Sequence, residues 1–418
     1  MRYLAALLLT LTAAGCGGGT NVVSTGSTAA TNPKPDAGQL KGWRQTIAHT
    51  PRPEKACFVA EYPATVWTKV PCGEPPKTLF LPDGVIHVGQ AYDNAAQSFS
   101  QSPITSAYGS FDSVTGVESV CSVQCPNTPA QNNLCPTTYT CTSGKDLPNN
   151  FSLQLNTNTF ATSVFKCNAN PKWMCSGWQQ FLFSNQNCPG QGQACVLIQY
   201  WLFNYDNGNG CPSSKWQSGP NHACIINSHS VTFPSLDVGL LGSMQLMGVA
   251  SAFQTDWVFF AVGTTAYSGP GDDYFPELAQ QWTQAEFNIF GNGSGTQAVL
   301  NPGSTLVLRV VVDSGTPGAP TCIAAGATTG ESNNLALIGL PAGPQDAPNS
   351  GPTRTYSGPL QKGTPVPTGP SNTQQGNVFG RPSSAPGPAL VFSETNAPDA
   401  NYVPGLIQCY GVFTVGTH

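Results

Sequence analysis

Residues 151–160, FSLQLNTNTF, alternate Phe151, Leu153 and Leu155 with Ser152, Gln154 and Asn156, the period-two pattern of a half-buried β-strand. Further strand-like runs follow at 178–184 (WQQFLFS), 195–205 (CVLIQYWLFNY), 240–249 (LLGSMQLMGV), 257–262 (WVFFAV), 284–290 (QAEFNIF) and 304–312 (STLVLRVVV). Turns rich in Gly, Asn, Asp and Pro separate them, as at 206–212 and 268–273. Only PELAQQW at 276–282 has the look of a helical turn. Many short strands with almost no helix predict an all-β fold, a two-layer antiparallel β-sandwich of jelly-roll type with disulfide-stapled loops.

The pattern also divides the chain. Residues 1–16 read as an export signal: Arg2, then the apolar run Leu4 to Leu11, then Ala13-Ala14-Gly15-Cys16. Small residues directly before a cysteine resemble a bacterial lipobox, which makes Cys16 the lipid-bearing first mature residue. Residues 17–40 read as a flexible tether of Gly, Ser, Thr, Ala and Pro. Residues 41–116 form an N-terminal accessory region or a pro-segment, and 117–338 the central sandwich. A Pro/Gly-rich loop spans 339–388, and 389–418 holds two short strands returning to the sandwich. The expected place is therefore outside the cytoplasm, at the cell envelope through a lipid anchor or fully secreted. No other stretch is long and apolar enough to cross a bilayer.

Composition narrows the function classes. Charged residues make up 9% of the 418-residue chain, against roughly 25% in an average soluble domain. Coiled coils and long surface helices need more charge than that. A net charge of −5 gives no basic footprint, so nucleic acid is not an expected partner. With 39% hydrophobic residues the chain can bury a sizeable core. Its polar remainder is neutral amide and hydroxyl, a surface that changes little in charge as pH falls.

Of 15 cysteines, setting Cys16 aside leaves 14, enough for seven bridges in an exported chain. Closeness in sequence suggests Cys57 with Cys72, Cys167 with Cys175, Cys188 with Cys195, and Cys211 with Cys224. Cys121, Cys125, Cys135 and Cys141 pair among themselves, and Cys322 is left for Cys409. Zinc is not expected, because no histidine follows Cys121-x3-Cys125 at finger spacing.

The familiar catalytic signatures HExxH, GxSxG, the Walker loop and the dinucleotide fingerprint are absent from the sequence, and histidines number only five. Neither a metal nor a cofactor is expected. Between residues 150 and 310 the only glutamates are Glu277 and Glu286, and Glu286 lies inside a strand-like run between Ala285 and Phe287. A carboxylate there is either turned to solvent or held for a purpose. A glycosidase would need both glutamates across one cleft. Asp272 and Asp273 read as a turn rather than a calcium loop.

The order SGWQQFLFS, then IQYWLFNY about twenty residues on, then QAEFNIF and STLVLRVVV, resembles the glutamic endopeptidases called eqolisins. The resemblance covers roughly residues 150 to 315 and implies a concanavalin-like sandwich carrying a catalytic Glu/Gln pair. It places Glu286 on the catalytic glutamate, and either Gln179 or Gln180 on the catalytic glutamine, with Gln180 preferred. It places Trp178, Tyr200, Trp201 and Tyr205 on substrate-facing aromatic positions. In the family glycine closely follows the glutamine, whereas Phe181 and Leu182 follow here.

In such a pair the carboxylate takes a proton from water as it attacks a peptide carbonyl and returns it to the leaving amine. The neutral amide stabilises the oxyanion and orients the water. A glutamate with the ordinary value of about 4.3 is partly ionised in mild acid, so acidic activity is expected. The expected partner is a polypeptide substrate. The competing reading is a non-catalytic surface sandwich of the same fold that binds glycan or protein, its aromatics acting as stacking platforms.

Overall fold

The computed structural model describes residues 35–81, 93–124, 149–163, 175–190, 192–205, 210–293, 295–315, 321–325, 329, 331–339 and 407–415, with short strand pieces between 354 and 392. The fold is an antiparallel all-β sandwich. One sheet has nine strands in the order Thr68–Val70, Cys57–Glu61, Thr265–Pro270, Trp257–Val262, Gln245–Val249, Ser106–Thr115, Thr305–Asp313, Ile407–Thr414 and Ala336–Gly339. The ten-stranded sheet runs Gln217–Ser218, Cys224–Asn227, Gln193–Phe203, Ser176–Ser184, Ser152–Thr157, Gln284–Phe290, Asp93–Gln97 and Thr321–Ala325. Val231–Pro234 and Phe160–Ala161 add to it off this path.

Between the sheets lies the main core. Phe181, Phe183, Ile198, Tyr200, Leu155 and Phe287 of the ten-stranded sheet meet Phe111, Leu246, Val258, Phe260, Leu308 and Val310 of the other. Phe183 stacks on Phe260 with ring centroids 4.3 Å apart, and Phe111 meets Phe287 edge-on at 5.5 Å. Two glycines make room for these rings. Gly248 leaves the space that Phe181 fills, and Gly109 the space that Phe287 fills; a Cβ on either would fall inside the facing ring.

Several expectations need adjusting. The pattern at 151–160 reads as a half-buried strand, but every residue of Ser152–Thr157 is buried, the face carrying Ser152, Gln154 and Asn156 included. The helix Ala37–His49 was not anticipated: residues up to 40 were read as tether. It buries Trp43 and Ile47 against Phe58, Met247 and Phe259 on the outer face of the nine-stranded sheet. Arg44 caps the turn at Gly263 by two hydrogen bonds, 3.1 and 2.6 Å. Residues 240–243 belong to the 3-10 helix Val238–Ser243 rather than to a strand.

Region 41–116 is woven into both sheets: Ser106–Thr115 pairs with Gln245–Val249 on one side and Thr305–Asp313 on the other, and Asp93–Gln97 pairs with Gln284–Phe290. Of the two C-terminal strands, Ile407–Thr414 returns to the sandwich, whereas Leu390–Phe392 pairs with Arg354–Tyr356 in a separate two-stranded sheet.

Cys57–Cys72, Cys188–Cys195 and Cys211–Cys224 are bridged as expected from their spacing. Cys121 and Cys175 are also disulfide-bonded. Cys16, Cys125, Cys135, Cys141 and Cys167 lie outside the described residues, as do the side chains of Cys322 and Cys409. Disulfides persist in oxidising surroundings, which places the chain outside a reducing cytoplasm. Among the described residues no helix is long and apolar enough to cross a membrane.

The glycine sockets give a direct test. Gly248→Ala or Gly109→Ala should overpack the core and lower stability by about 1–3 kcal/mol, read as a fall in melting temperature. A shortened partner in the double variant Gly248→Ala, Phe181→Leu should recover part of the loss.

Candidate functional site

Cross-strand register decides which side chains share a face. Directly opposed residues point the same way, and neighbours along a strand point opposite ways. Asn227 opposes Gln199, Gln199 opposes Gln180, Gln180 opposes Asn156, and Asn156 opposes Glu286. One row of four amides ending in a carboxylate therefore crosses five strands on the outer face of the ten-stranded sheet.

The row is hydrogen-bonded along most of its length. Gln199 Nε2 donates to Asn227 Oδ1 at 2.7 Å. Gln180 Nε2 donates to Asn156 Oδ1 and to Gln154 Oε1, both at 3.1 Å. Asn156 Nδ2 donates to Glu286 Oε2 at 3.0 Å. Gln180, Asn156 and Glu286 are all fully buried. The Gln180 Oε1 atom is buried and accepts no hydrogen bond from a described residue.

The two glutamines of the Ser176–Ser184 strand part company. Gln180 faces Glu286, and Gln179 faces the core with Tyr200, which it opposes. There Gln179 Nε2 donates to Asp256 Oδ2 at 3.0 Å. Burial pushes the Asp256 carboxyl up to about 8, the hydrogen bond from Gln179 pulling the other way. Burial, with Asp256 nearby, also raises the Tyr200 hydroxyl well above its ordinary value.

The expected aromatic platform divides in the same manner. Trp178 opposes Trp201 and both lie on the Gln180 face, fully buried. Tyr200 packs inward against Tyr274 and Phe275. Tyr205 follows the strand and packs on the main core. Phe181, which in sequence looked like an obstruction beside the glutamine, fills the Gly248 socket on the opposite face. Leu182 is the bulky neighbour that does share the Gln180 face.

The segment Pro76–Leu81 covers one end of the row. Asn227 Nδ2 donates to Pro76 O at 2.7 Å and to Thr78 O at 3.1 Å, and Gln199 Nε2 donates to Thr78 O at 3.2 Å. Phe80 N donates to Gln199 Oε1 at 3.0 Å. Leu81 N donates to Glu331 Oε1 at 3.1 Å, and Thr329 Oγ1 donates to Leu81 O at 2.9 Å. Glu331 is fully buried, and burial pushes its carboxyl up to about 7 against the pull of its hydrogen bonds from Thr329, Gly295 and Leu81.

Elsewhere, Glu277 lies away from the row, accepting hydrogen bonds from Thr162 and Ser163, so the two glutamates do not share the Glu286 site. Asp272 is engaged by Lys55 and by the Tyr274 hydroxyl. Among the described residues no cluster of three or more His, Cys, Asp or Glu could hold a metal.

Sequence reasoning passed over Gln154, Asn156, Gln199, Asn227, Asp256 and Glu331. Gln154 and Asn156 are visible in sequence as the polar half of the alternating run 151–160, whereas Asn227 falls in no run that the pattern marks as a strand. Comparison with protein-family models, with curated proteins and with solved structures finds no match to this chain.

The buried carboxyls set a pH dependence. A carboxyl raised to about 8 contributes stability that is fully present below its ordinary value of 3.8 and lost as pH rises through about 8. Glu331 acts in the same direction up to about 7. The protein should therefore resist denaturant better at acidic pH than at pH near 8, and Asp256→Asn should flatten that slope. Equal denaturation midpoints for the parent across this range would contradict the assignment.

Proposed function

We propose that this chain is an exported acid endopeptidase, tethered to the cell envelope through lipid on Cys16, that hydrolyses peptide bonds with Glu286 and Gln180. The observation carrying the reading is the outer-face row in which a single residue, Asn156, stands between the Gln180 amide and the Glu286 carboxylate. The disulfides support an oxidising location.

In this reading Glu286 removes a proton from water as the water oxygen attacks the scissile carbonyl carbon. It then delivers that proton to the departing amine nitrogen, so the carboxylate ends as it began. Asn156 orients Glu286 through Oε2. Gln180 spends both Nε2 hydrogens on Gln154 and Asn156, and so presents Oε1 to the attacking water. It donates to the oxyanion only after releasing one of those partners, a step in which Asn156 also gains freedom to move.

The competing surface-display reading gains little from the aromatics, because Trp178 and Trp201 are fully buried and offer a sugar no open ring face.

The test is digestion of an unfolded protein at about pH 3–5, a range bracketing an ordinary glutamate. It is run on the parent and on Phe80→Asp, each with and without Glu286→Gln. Loss of the acid/base should slow digestion by about 10²–10⁴-fold, and Gln180→Ala should slow it while leaving the fold intact by circular dichroism. Digestion unaffected by Glu286→Gln in both backgrounds, or absent from both, would leave the non-catalytic sandwich.

A further inference from the structure

Segment Glu74–Leu81 (EPPKTLFL) lies across the outer face in the manner of a bound peptide. Side chains hold its main chain: Asn227 and Gln199 of the sheet take Pro76, Thr78 and Phe80, while Glu331 and Thr329, outside the sheet, take Leu81. Its side chains alternate. Leu79 and Leu81 pack against Trp178, Trp201, Ala223 and Ile225, whereas Phe80 enters a separate pocket formed by Leu182, Leu197 and the Cys188–Cys195 bridge.

Main-chain capture by fixed polar groups, with pockets for alternate side chains, is how a groove recognises an extended polypeptide. The contacts also have a direction. Pro76 and Thr78 sit on Asn227, then Thr78 and Phe80 sit on Gln199, and the next member of the row is Gln180. The segment thus lies along the first two members of the amide row, in register order beside Gln180, Asn156 and Glu286.

Pro75 and Pro76 favour an extended chain at low entropic cost. Just upstream, Cys72 is bridged to Cys57 in the nine-stranded sheet, which fixes the root of the segment. A ligand tethered so closely acts at an effective concentration on the order of millimolar, so modest affinity keeps its groove filled.

We propose that Glu74–Leu81 is a built-in occupant of the substrate groove, holding the site closed until it swings out on its disulfide-fixed root. The groove's ligand is an extended polypeptide that places a Phe-like side chain in the Cys188–Cys195 pocket. The blocking role rests on the peptidase reading above; the peptide groove itself does not.

A fluorescein-labelled peptide of the sequence Glu74–Leu81 is titrated against the full chain in a Glu286→Gln background, with and without Phe80→Asp. Fluorescence anisotropy reads binding independently of cleavage. Opening the groove should tighten binding by about tenfold or more, since the tethered competitor is gone. A peptide with Asp in place of the phenylalanine should not bind.

Equal binding to both proteins, or none to a Phe80→Asp protein that keeps its near-ultraviolet dichroism, overturns the proposal and leaves Phe80 as ordinary core. If Phe80→Asp does not fold, Phe80→Ala is titrated in the same way, and no gain in binding there overturns the proposal as well. Peptide binding to the opened groove without any acid digestion in the presence of Glu286 would remove the peptidase reading and keep the groove.

Discussion

Burying a row of primary amides on one sheet face is the constraint around which the rest of this structure is arranged. An unmet buried donor or acceptor costs about 1–3 kcal/mol, and Asn227, Gln199 and Asn156 each have partners on both oxygen and nitrogen, while Gln180 has its partners on nitrogen. An amide can pass hydrogen bonds along a row because it donates and accepts, whereas a carboxylate can only accept, and Glu286 stands at the end of the row. At the other end the outermost amides, besides bonding each other, meet the backbone of Pro76–Phe80. The covering segment therefore does more than exclude water: it completes the hydrogen bonding that allows Gln199 and Asn227 to be buried.

The opposite face of the same strands fixes the register. A slip of one residue would exchange Gln180 for Gln179 on the outer face and turn Phe181 and Phe183 away from the facing sheet. Phe181 in the Gly248 socket and Phe287 beside Gly109 oppose that slip, and each ring is next in sequence to one member of the candidate pair. Core packing on one side thus holds Gln180 and Glu286 in place on the other. Gln179 is not idle in this arrangement, since it donates a hydrogen bond to the Asp256 carboxyl.

Much of the fold was legible because its signals are local. The strands Ser176–Ser184, Trp257–Val262 and Gln284–Phe290 fall on the apolar runs that mark them, and three bridges join cysteines 7 to 15 residues apart. The helix Ala37–His49 was missed because Gly38 and Gly42 resemble the preceding tether, although Trp43 and Ile47 at four-residue spacing carried its buried stripe. At the site, period-two phase correctly separates Gln179 from Gln180. It cannot say whether the face with Gln180 meets water or protein, because Gln, Asn and Ser suit either environment when their partners are supplied. At one end of the row those partners come from Pro76, Thr78 and Phe80, distant in sequence and marked by no spacing.

The same preference for neutral polar groups connects the fold to acid. In a chain that is 9% charged, lowering the pH removes few favourable ion pairs. The carboxyls buried deepest with a resolved shift, Asp256 and Glu331, are pushed upward by desolvation, so protonation eases their burial rather than opposing it. Most exported proteins lose stability in acid because carboxylates paired in the native state must give up their charge. Here the native state holds Gln179 against Asp256 and Thr329 against Glu331, partners that remain neutral and able to hydrogen-bond whichever form the carboxyl takes. A framework of amides, hydroxyls and disulfides can thus keep its geometry as the pH falls.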